Sequence, residues 1–317
     1  MSSPDDFAPL AIMSRSGFDE SVHFGAAVGL DRSGNIAVAV GDPAAVIFPR
    51  SSNKPLQALA MVQAGLDLSP EMLALVCASH DGTPRHTEIV ERILAGAGLD
   101  TGTLANVEML PLEEASATAI LRSGGGPSRL TMNCSGKHAG MLATCRLRGW
   151  PTDASYLSPD HPLQRAITRT MADVIGTPSA HIGVDGCGAP VHAMPLRSLA
   201  EAFRVIATGG AGLAGDAVAT AMSSHPELVG GERRTVTRLM RAVPGLVAKD
   251  GADGVFAGAM PDGRAFAVKI SDGAERAVAA VVVRLMRALG IDVPDEQWEA
   301  QVLGHGRPVG SVRAVAP

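Results

Sequence analysis

Ser51 and Lys54 stand three positions apart and form a Ser-x-x-Lys motif. Residues at this spacing share one face of a helix, so the lysine amine can reach the serine hydroxyl. A serine attacks a carbonyl carbon when a positioned base takes its proton, and a lysine is such a base when burial or nearby positive charge lowers its pKa. The neighbouring Arg50 could supply that charge or bind a substrate carboxylate. A helix cap followed by a solvated lysine is the alternative interpretation.

Two further places in the chain carry reactive side chains. Ser79 and His80 follow a predicted helix, which makes Ser79 a candidate second hydroxyl and His80 a candidate acid or base. A helix stop made of turn residues would have the same composition. Lys249 closes a strand-like segment before a tight turn, at a sheet edge where loops gather and functional residues are frequent.

A third group combines sulfur and nitrogen donors. Cys134, Lys137 and His138 are close together in the chain, and Cys187 lies in a second loop. Two thiolates with one or two nitrogen ligands suit zinc. The spacing matches no standard zinc-finger pattern, so two buried free thiols are the other interpretation. A lysine ligand is unusual because its amine must lose a proton to bind a metal.

In their order along the chain, these motifs resemble those of the non-classical L-asparaginases of the asparaginase II family. The fold of that family is similar to the fold of serine β-lactamases and penicillin-binding proteins. The resemblance covers nearly the whole chain, and the segments that carry it are 50–55, 77–80, 133–142, 160–162, 185–187, 225–227 and 249–253.

The resemblance implies hydrolysis of L-asparagine to L-aspartate and ammonia through a serine acyl-enzyme with lysine general bases. Two Ser–Lys pairs would carry the catalysis, namely Ser51 with Lys54 and Ser79 with Lys249. Because Ser52 stands beside Ser51, the sequence leaves open which serine is acylated.

The same resemblance implies two sets of binding residues. Zinc would be held by Cys134, Lys137 and Cys187, and would orient the pocket without activating water. The substrate pocket would be lined by Arg50, His138 and Asp185, with Asp185 on the substrate ammonium. The resemblance also implies a homodimer.

Other functions remain open on this sequence. A glutaminase, a β-lactam hydrolase or another serine amidohydrolase or acyl-transferase would use the same scaffold. A non-catalytic protein that binds zinc or an amino acid is the alternative outside the enzymes.

Composition narrows the class of protein. The chain has 317 residues, 46% of them hydrophobic and 19% charged, with a formal charge of −5. These values indicate a globular protein and argue against a nucleic-acid surface. The acidic N-terminus and the absence of a long apolar run predict no membrane span and a cytoplasmic protein, with four reduced cysteines.

The order of predicted elements indicates how these residues are positioned. Strands at both chain ends with helices between them exclude a repeating βαβ sheet and favour an α+β fold. We expect an antiparallel sheet built from both ends and flanked by helices, with a mainly helical middle. The prediction is one domain over 1–317, with the sheet at about 15–50 and 243–291 and the helices at about 51–242.

Lysine is scarce in this chain. Of 27 basic residues, four are lysines. The motifs and the resemblance make Lys54 and Lys249 bases and Lys137 a zinc ligand. Lys269, within an alternating strand, is left as an outward-facing surface residue.

Overall fold

The computed structural model describes residues 3–316. Its contacts divide the chain into two compact units. The first, called the sheet unit, comprises the chain up to Ser52, Ala193–Gly210 and the chain from Leu239 onward. The second, called the helical unit, comprises Asn53–His192 and Ala211–Arg238.

The strands are numbered in chain order as β1 (Ala8–Arg15), β2 (Phe18–Leu30), β3 (Ile36–Val40), β4 (Val46–Ile47), β5 (His181–Val184), β6 (Pro190–Pro195), β7 (Val247–Gly251), β8 (Val255–Ala259), β9 (Ala265–Ile270), β10 (Ala300–Gly304) and β11 (Arg307–Ala314). The large sheet has the order β10-β11-β1-β2-β9-β8-β7, with β3 paired to β2. All of these pairs are antiparallel. Since β1 pairs with β11, the sheet joins the two ends of the chain, which confirms the predicted fold class.

The helices are α1 (Lys54–Gln63), α2 (Pro70–Val76), α3 (Pro84–Gly96), α4 (Glu114–Arg122), α5 (Ser135–Arg148), α6 (Pro162–Ile175), α7 (Leu196–Ala207), α8 (Gly212–Ser224), α9 (Pro226–Val229), α10 (Thr235–Ala242) and α11 (Val278–Ala288). Helices α7 and α11 pack on the large sheet. Strand β8 contacts both helices and all five of its residues are buried, which explains its continuous apolar sequence.

Helix α5 lies in the interior of the helical unit, buried from Ser135 through Cys145. Two glycines let it approach α2. A Cβ atom at Gly136 would lie 2.5 Å from the carbonyl oxygen of Leu75, and one at Gly140 would lie 2.7 Å from a methyl group of Val76. Because of this close packing, the first turn of α5 is buried in the helical unit.

The predicted strands and helices are present to within a few residues, but β1, β5, β6, β10, β11 and the short α9 were not predicted. Strands β5 and β6 lie inside the predicted helical region 51–242 and form a second sheet in the order β4-β6-β5. The large sheet therefore runs from residue 8 and reaches residue 314, beyond the predicted 15–50 and 243–291. Gly304, Gly306, Pro308 and Gly310 make β10 and β11 resemble a loop, and strand pairing overrides that local preference.

Within residues 3–316, no single helix has the length and apolar composition needed to cross a membrane. Helices α7 and α8 reach that length and composition only when they are counted together, and the pair is sharply bent.

Candidate active site

Ser51 and Ser52 lie in a short 3₁₀ helix, Arg50–Asn53, that leads into α1. Pro55 stands in the first turn of α1, where its missing N–H costs nothing. Ser52 is fully buried and its hydroxyl donates to the carbonyl oxygen of Pro49 at 2.6 Å. Ser51 is half-buried, and its hydroxyl has no hydrogen-bond partner in the described part of the chain. Of the two serines, Ser51 thus has the hydroxyl available for reaction.

Lys54 opens α1 and its side chain is fully buried. Its Nζ atom donates to the carbonyl oxygen of Ala78 at 2.5 Å and to the hydroxyl of Ser79 at 3.0 Å. Ser79 follows α2, and its backbone N–H donates to the carbonyl oxygen of Val229 at 3.0 Å. The family resemblance pairs Ser79 with Lys249, whereas in the structure the Ser79 hydroxyl contacts Lys54.

Lys249 lies on β7 with a fully buried side chain. Its amine donates to the carbonyl oxygen of Asp250 at 2.8 Å and contacts the Asp250 carboxylate. At the end of the same strand, a Cβ on Gly251 would lie 2.4 Å from the Pro49 carbonyl oxygen and 3.1 Å from the Ser52 nitrogen. The strand that carries Lys249 therefore ends against the turn that carries Ser51.

Arg50 has a left-handed backbone with φ of 52°. For a residue other than glycine, this conformation costs roughly 1–2 kcal/mol. The Arg50 guanidinium pairs with the carboxylate of Asp253. The residue predicted to bind a substrate carboxylate therefore already contacts a carboxylate of its own chain.

Cys134, Lys137 and Cys187, called the thiol–lysine cluster, lie together in the helical unit. Cys134 immediately precedes α5, Lys137 is in its first turn, and Cys187 lies in the loop between β5 and β6. The Lys137 Nζ atom is 3.0 Å from the Cys187 sulfur. All three side chains are buried and both thiols are free of disulfides.

The cluster stabilises one negative sulfur. A hydrogen bond from Cys134 lowers the pKa of Cys187 well below its ordinary value, against the effect of burial and with help from Lys137. The same hydrogen bond and burial raise the pKa of Cys134. Burial lowers the pKa of Lys137, but Cys187, Cys134 and Asp185 raise it more, so the net shift is upward. The cluster therefore favours a negative charge on Cys187 and a positive charge on Lys137.

This donor set fits zinc, because two sulfurs and one nitrogen already converge in one buried place. Zinc would displace protons from Cys134 and Lys137 on binding. Among residues 3–316, no three His, Cys, Asp or Glu side chains are grouped as a metal site. The thiol–lysine cluster has an amine in place of a third such side chain.

His138 follows Lys137 and is fully buried. Its Nδ1 atom is 2.7 Å from the hydroxyl of Tyr156, which accepts a hydrogen bond from the Ala105 N–H at 3.1 Å. Burial lowers the pKa of His138, against the raising effect of the neighbouring Cys187. In the described structure, Nε2 is buried without a hydrogen-bond partner.

Asp185 lies at the start of the turn that contains Cys187. It is half-buried, and its carboxylate accepts the N–H of Gly186 at 2.9 Å. This carboxylate contributes to the raised pKa of Lys137, which places Asp185 near the thiol–lysine cluster. The structure thus places His138 and Asp185 beside the thiol–lysine cluster.

His80 has both ring nitrogens engaged in the structure. Nδ1 accepts the N–H of Gly82 at 3.1 Å, and Nε2 lies 2.9 Å from the Ser135 hydroxyl. Ser135 in turn donates to the carbonyl oxygen of Leu130 at 2.7 Å. His80 therefore ties its loop to α5, and burial lowers its pKa well below the ordinary value.

Two residues at the site were missed by sequence reasoning. Asp253 was assigned to a tight turn and to the motif segment 249–253 without a role of its own, and nothing in its neighbourhood indicates a contact with Arg50. Tyr156 is the chain's one tyrosine, and that rarity was an available signal for a specific role.

The family model for L-asparaginase II matches residues 11–314. The chain belongs to the L-asparaginase II family, as its motifs predict.

Three solved structures give distant matches. Mglu in its native form has a TM-score of 0.45 at 15% identity, with 86% of this chain and 66% of that chain covered. Mglu in its tris and glutamate form has a TM-score of 0.38 at 14% identity, with 86% and 60% covered. A β-lactamase from Mycobacterium bovis has a TM-score of 0.38 at 15% identity, with 84% and 94% covered. The chain thus spans just under two thirds of the first Mglu chain. Comparison with curated proteins gave no match.

Proposed function

We propose that the protein hydrolyses L-asparagine to L-aspartate and ammonia through a serine acyl-enzyme. Family membership supports an amide hydrolase. The observation that carries the mechanism is the buried amine of Lys54, which donates to the Ser79 hydroxyl at 3.0 Å. Lys54 is the first residue of α1, three positions after Ser51. Buried lysines in contact with serine hydroxyls are a recurrent arrangement for activating a serine nucleophile.

In the proposed first half-reaction, the Ser51 oxygen attacks the side-chain amide carbon of the substrate while Lys54 accepts the hydroxyl proton. The resulting tetrahedral intermediate collapses, and its C–N bond breaks. The leaving nitrogen takes up the proton from Lys54 and departs as ammonia. An ester between Ser51 and the aspartyl side chain remains.

In the second half-reaction, water attacks this ester and gives up a proton to a lysine, and the C–O bond to Ser51 breaks. The lysine passes its proton to the departing Ser51 oxygen, which restores the serine hydroxyl and the neutral amine, and aspartate leaves. Ser79 supports this cycle because its hydroxyl can pass a proton to and from Lys54. Lys249 is the second proposed base, and its strand ends against the Ser51 turn.

Substrate binding is proposed to use charge complementarity. Asp185 would meet the α-ammonium group of the substrate. Arg50 or His138 would meet its α-carboxylate, Arg50 with two parallel N–H donors. His138 offers its buried Nε2 atom, which has no hydrogen-bond partner in the described structure.

Zinc is the proposed metal, held by Cys134, Lys137 and Cys187. When bound, it would fix these three side chains and thereby the position of His138, which follows Lys137. Two thiolates leave zinc little Lewis acidity, so we assign it no role in activating water.

The direct test is ammonia release by the purified protein from L-asparagine and L-glutamine, with a chromogenic β-lactam as a third substrate. We expect turnover of L-asparagine to exceed that of the other two. Preference for glutamine would contradict the proposed substrate, and opening of the β-lactam alone would contradict the amidase. Binding of asparagine by calorimetry without ammonia release would indicate a non-catalytic binding protein.

A further inference from the structure

Four residues other than glycine have positive φ in the described chain: Ser16, Arg50, Asp253 and His305. Three of them share one setting. Ser16, Asp253 and His305 each directly precede a glycine that also has positive φ. Two successive residues with positive φ are typical of tight hairpin turns, so turn chemistry accounts for these three.

Arg50 is the exception, because it precedes Ser51 and not a glycine. A left-handed arginine persists only when its surroundings hold it. Its guanidinium is held by the carboxylate of Asp253, which lies in the turn between β7 and β8. The Arg50 side chain is 27% exposed and the Asp253 side chain 60% exposed, so the pair lies at the surface of the sheet unit.

The backbone around Arg50 is fitted to the same turn. The N–H and the hydroxyl of Ser52 both donate to the Pro49 carbonyl oxygen, at 3.1 and 2.6 Å. The absence of a side chain at Gly251 is required here, since a Cβ would lie 2.4 Å from that oxygen. The segment from Pro49 to Ser52 is therefore seated directly on the end of β7.

The turn that carries Asp253 is held by two contacts, one to Asp253 and one to the residue that follows it. The amine of Lys269, which is half-buried and not an outward-facing surface group, donates to the Asp253 carbonyl oxygen. The next residue, Gly254, donates its N–H to the Glu275 carboxylate at 3.2 Å. The chain of contacts from Lys269 through Asp253 to Arg50 thus ends one residue before Ser51.

We infer that Asp253 is a positioning residue for the nucleophile: its carboxylate holds Arg50 in the left-handed conformation that sets Ser51, and Lys269 holds Asp253. This inference rests on the proposed role of Ser51. It assigns to Asp253 and Lys269 a contribution to turnover that acts through Arg50 and not through contact with the substrate.

The test uses Asp253→Gly, which removes the carboxylate while leaving a residue that tolerates positive φ. The matched control is His305→Gly, at a position with φ of 49° that also precedes a glycine. Hydrogen exchange of the peptide covering 46–56 should be at least about threefold faster in Asp253→Gly only. With L-asparagine, kcat should fall about tenfold in the same variant.

The conservative change gives a rescue. Lys269→Met should lower kcat in the same direction as Asp253→Gly, and Lys269→Arg should restore it, because arginine can still donate to the Asp253 carbonyl. Unchanged exchange in Asp253→Gly would overturn the inference, as would a raised KM with normal kcat. If the wild-type protein releases no ammonia from asparagine, the proposed function fails, and the exchange measurement alone then decides whether Asp253 holds the turn.

Discussion

The amine of Lys54 donates a hydrogen bond to the hydroxyl of Ser79 at 3.0 Å, although the two residues are 25 positions apart in the chain. The pair lies within the helical unit, where the end of α2 meets the start of α1. The buried amine of Lys54 thus contacts the Ser79 hydroxyl, and Ser51 precedes Lys54 by three positions in the chain. Substitutions of the serines and of the lysine separate the roles of these groups.

Replacing the two adjacent serines in turn should identify the nucleophile. Ser51→Ala should lower ammonia release at least about a thousandfold, because no other hydroxyl would replace the attacking oxygen. Ser52→Ala should keep turnover and lose about 1 kcal/mol of unfolding free energy, since its buried hydroxyl donates to Pro49. Steady-state kinetics and urea denaturation measure both. The opposite pattern would make Ser52 the acylated residue.

Lys54→Met should abolish turnover while preserving most of the packing, because methionine has a similar length and no amine. Lys54→Arg should also be inactive, since arginine stays protonated and cannot accept the serine proton. Circular dichroism checks that each variant is folded. Full activity in a folded Lys54→Arg variant would contradict the assignment of Lys54 as the base.

Zinc content tests the thiol–lysine cluster. Purified protein dialysed against zinc should retain about one ion per chain, and Cys134→Ser or Cys187→Ser should lose it. The matched control is Cys145→Ala, because this buried thiol lies on α5, and burial raises its pKa to about 12. Mass spectrometry of the metal gives the stoichiometry. Retention of zinc by Cys187→Ser would exclude this donor set.

The buried side chain of His192 should make the free energy of unfolding fall as the pH is lowered. Burial lowers the pKa of this side chain from 6.5 to about 4, so the native state keeps it neutral. Between these values the unfolded chain binds a proton that the native state does not, so this stability is present above pH 6.5 and is lost as pH falls toward 4. The loss approaches roughly 3 kcal/mol.

The variant that isolates this effect is His192→Gln, which keeps a donor near the Thr168 hydroxyl now 2.9 Å from Nε2. Urea denaturation at pH 7 and pH 4.5 should show the wild type losing about 2 kcal/mol more than the variant. Equal losses in the two proteins would show that His192 does not contribute to this pH dependence.

Close packing of α5 on α2 gives a stability test. Gly136→Ala should destabilise the protein by about 1–3 kcal/mol, because the new Cβ would lie 2.5 Å from a backbone oxygen. Gly96→Ala in α3 is the control, since nothing lies within 4 Å of its Cβ position. It should stabilise by about 0.5–1 kcal/mol. A neutral Gly136→Ala would show that α5 can shift without cost.

The sequence indicated candidate site residues but said little about which groups each of them contacts in the fold. Cys134, Lys137 and Cys187 were grouped from donor type, and the structure brings them together. The contact between Lys54 and Ser79 was not predicted, because spacing along one helix says nothing about a loop 25 residues away. The left-handed Arg50 had no signal either, since glycine or asparagine usually marks that conformation.

The strands also differ in how far the local sequence predicts them. β8 and β9 were predicted because buried central strands have continuous apolar sequences. β1 and β11 were not, because their pairing partners are about 300 residues apart and local sequence does not encode such contacts. Lys269 was assigned to the surface from strand alternation, but its side chain is half-buried and its amine contacts the turn between β7 and β8.

The pairing of β1 with β11 also bears on how the chain folds during synthesis. Ala11 of β1 lies opposite Ala314 of β11, so β1 is synthesised about 300 residues before β11. Contacts of such sequence separation slow folding, and an unpaired strand edge invites association with other chains. β1 can pair with β2 early, because a short turn joins the two strands. The other edge of β1 stays unpaired until β11 has been synthesised. We expect ribosome-bound chains ending before residue 300 to lack the complete sheet and to depend on chaperones until the last hairpin emerges.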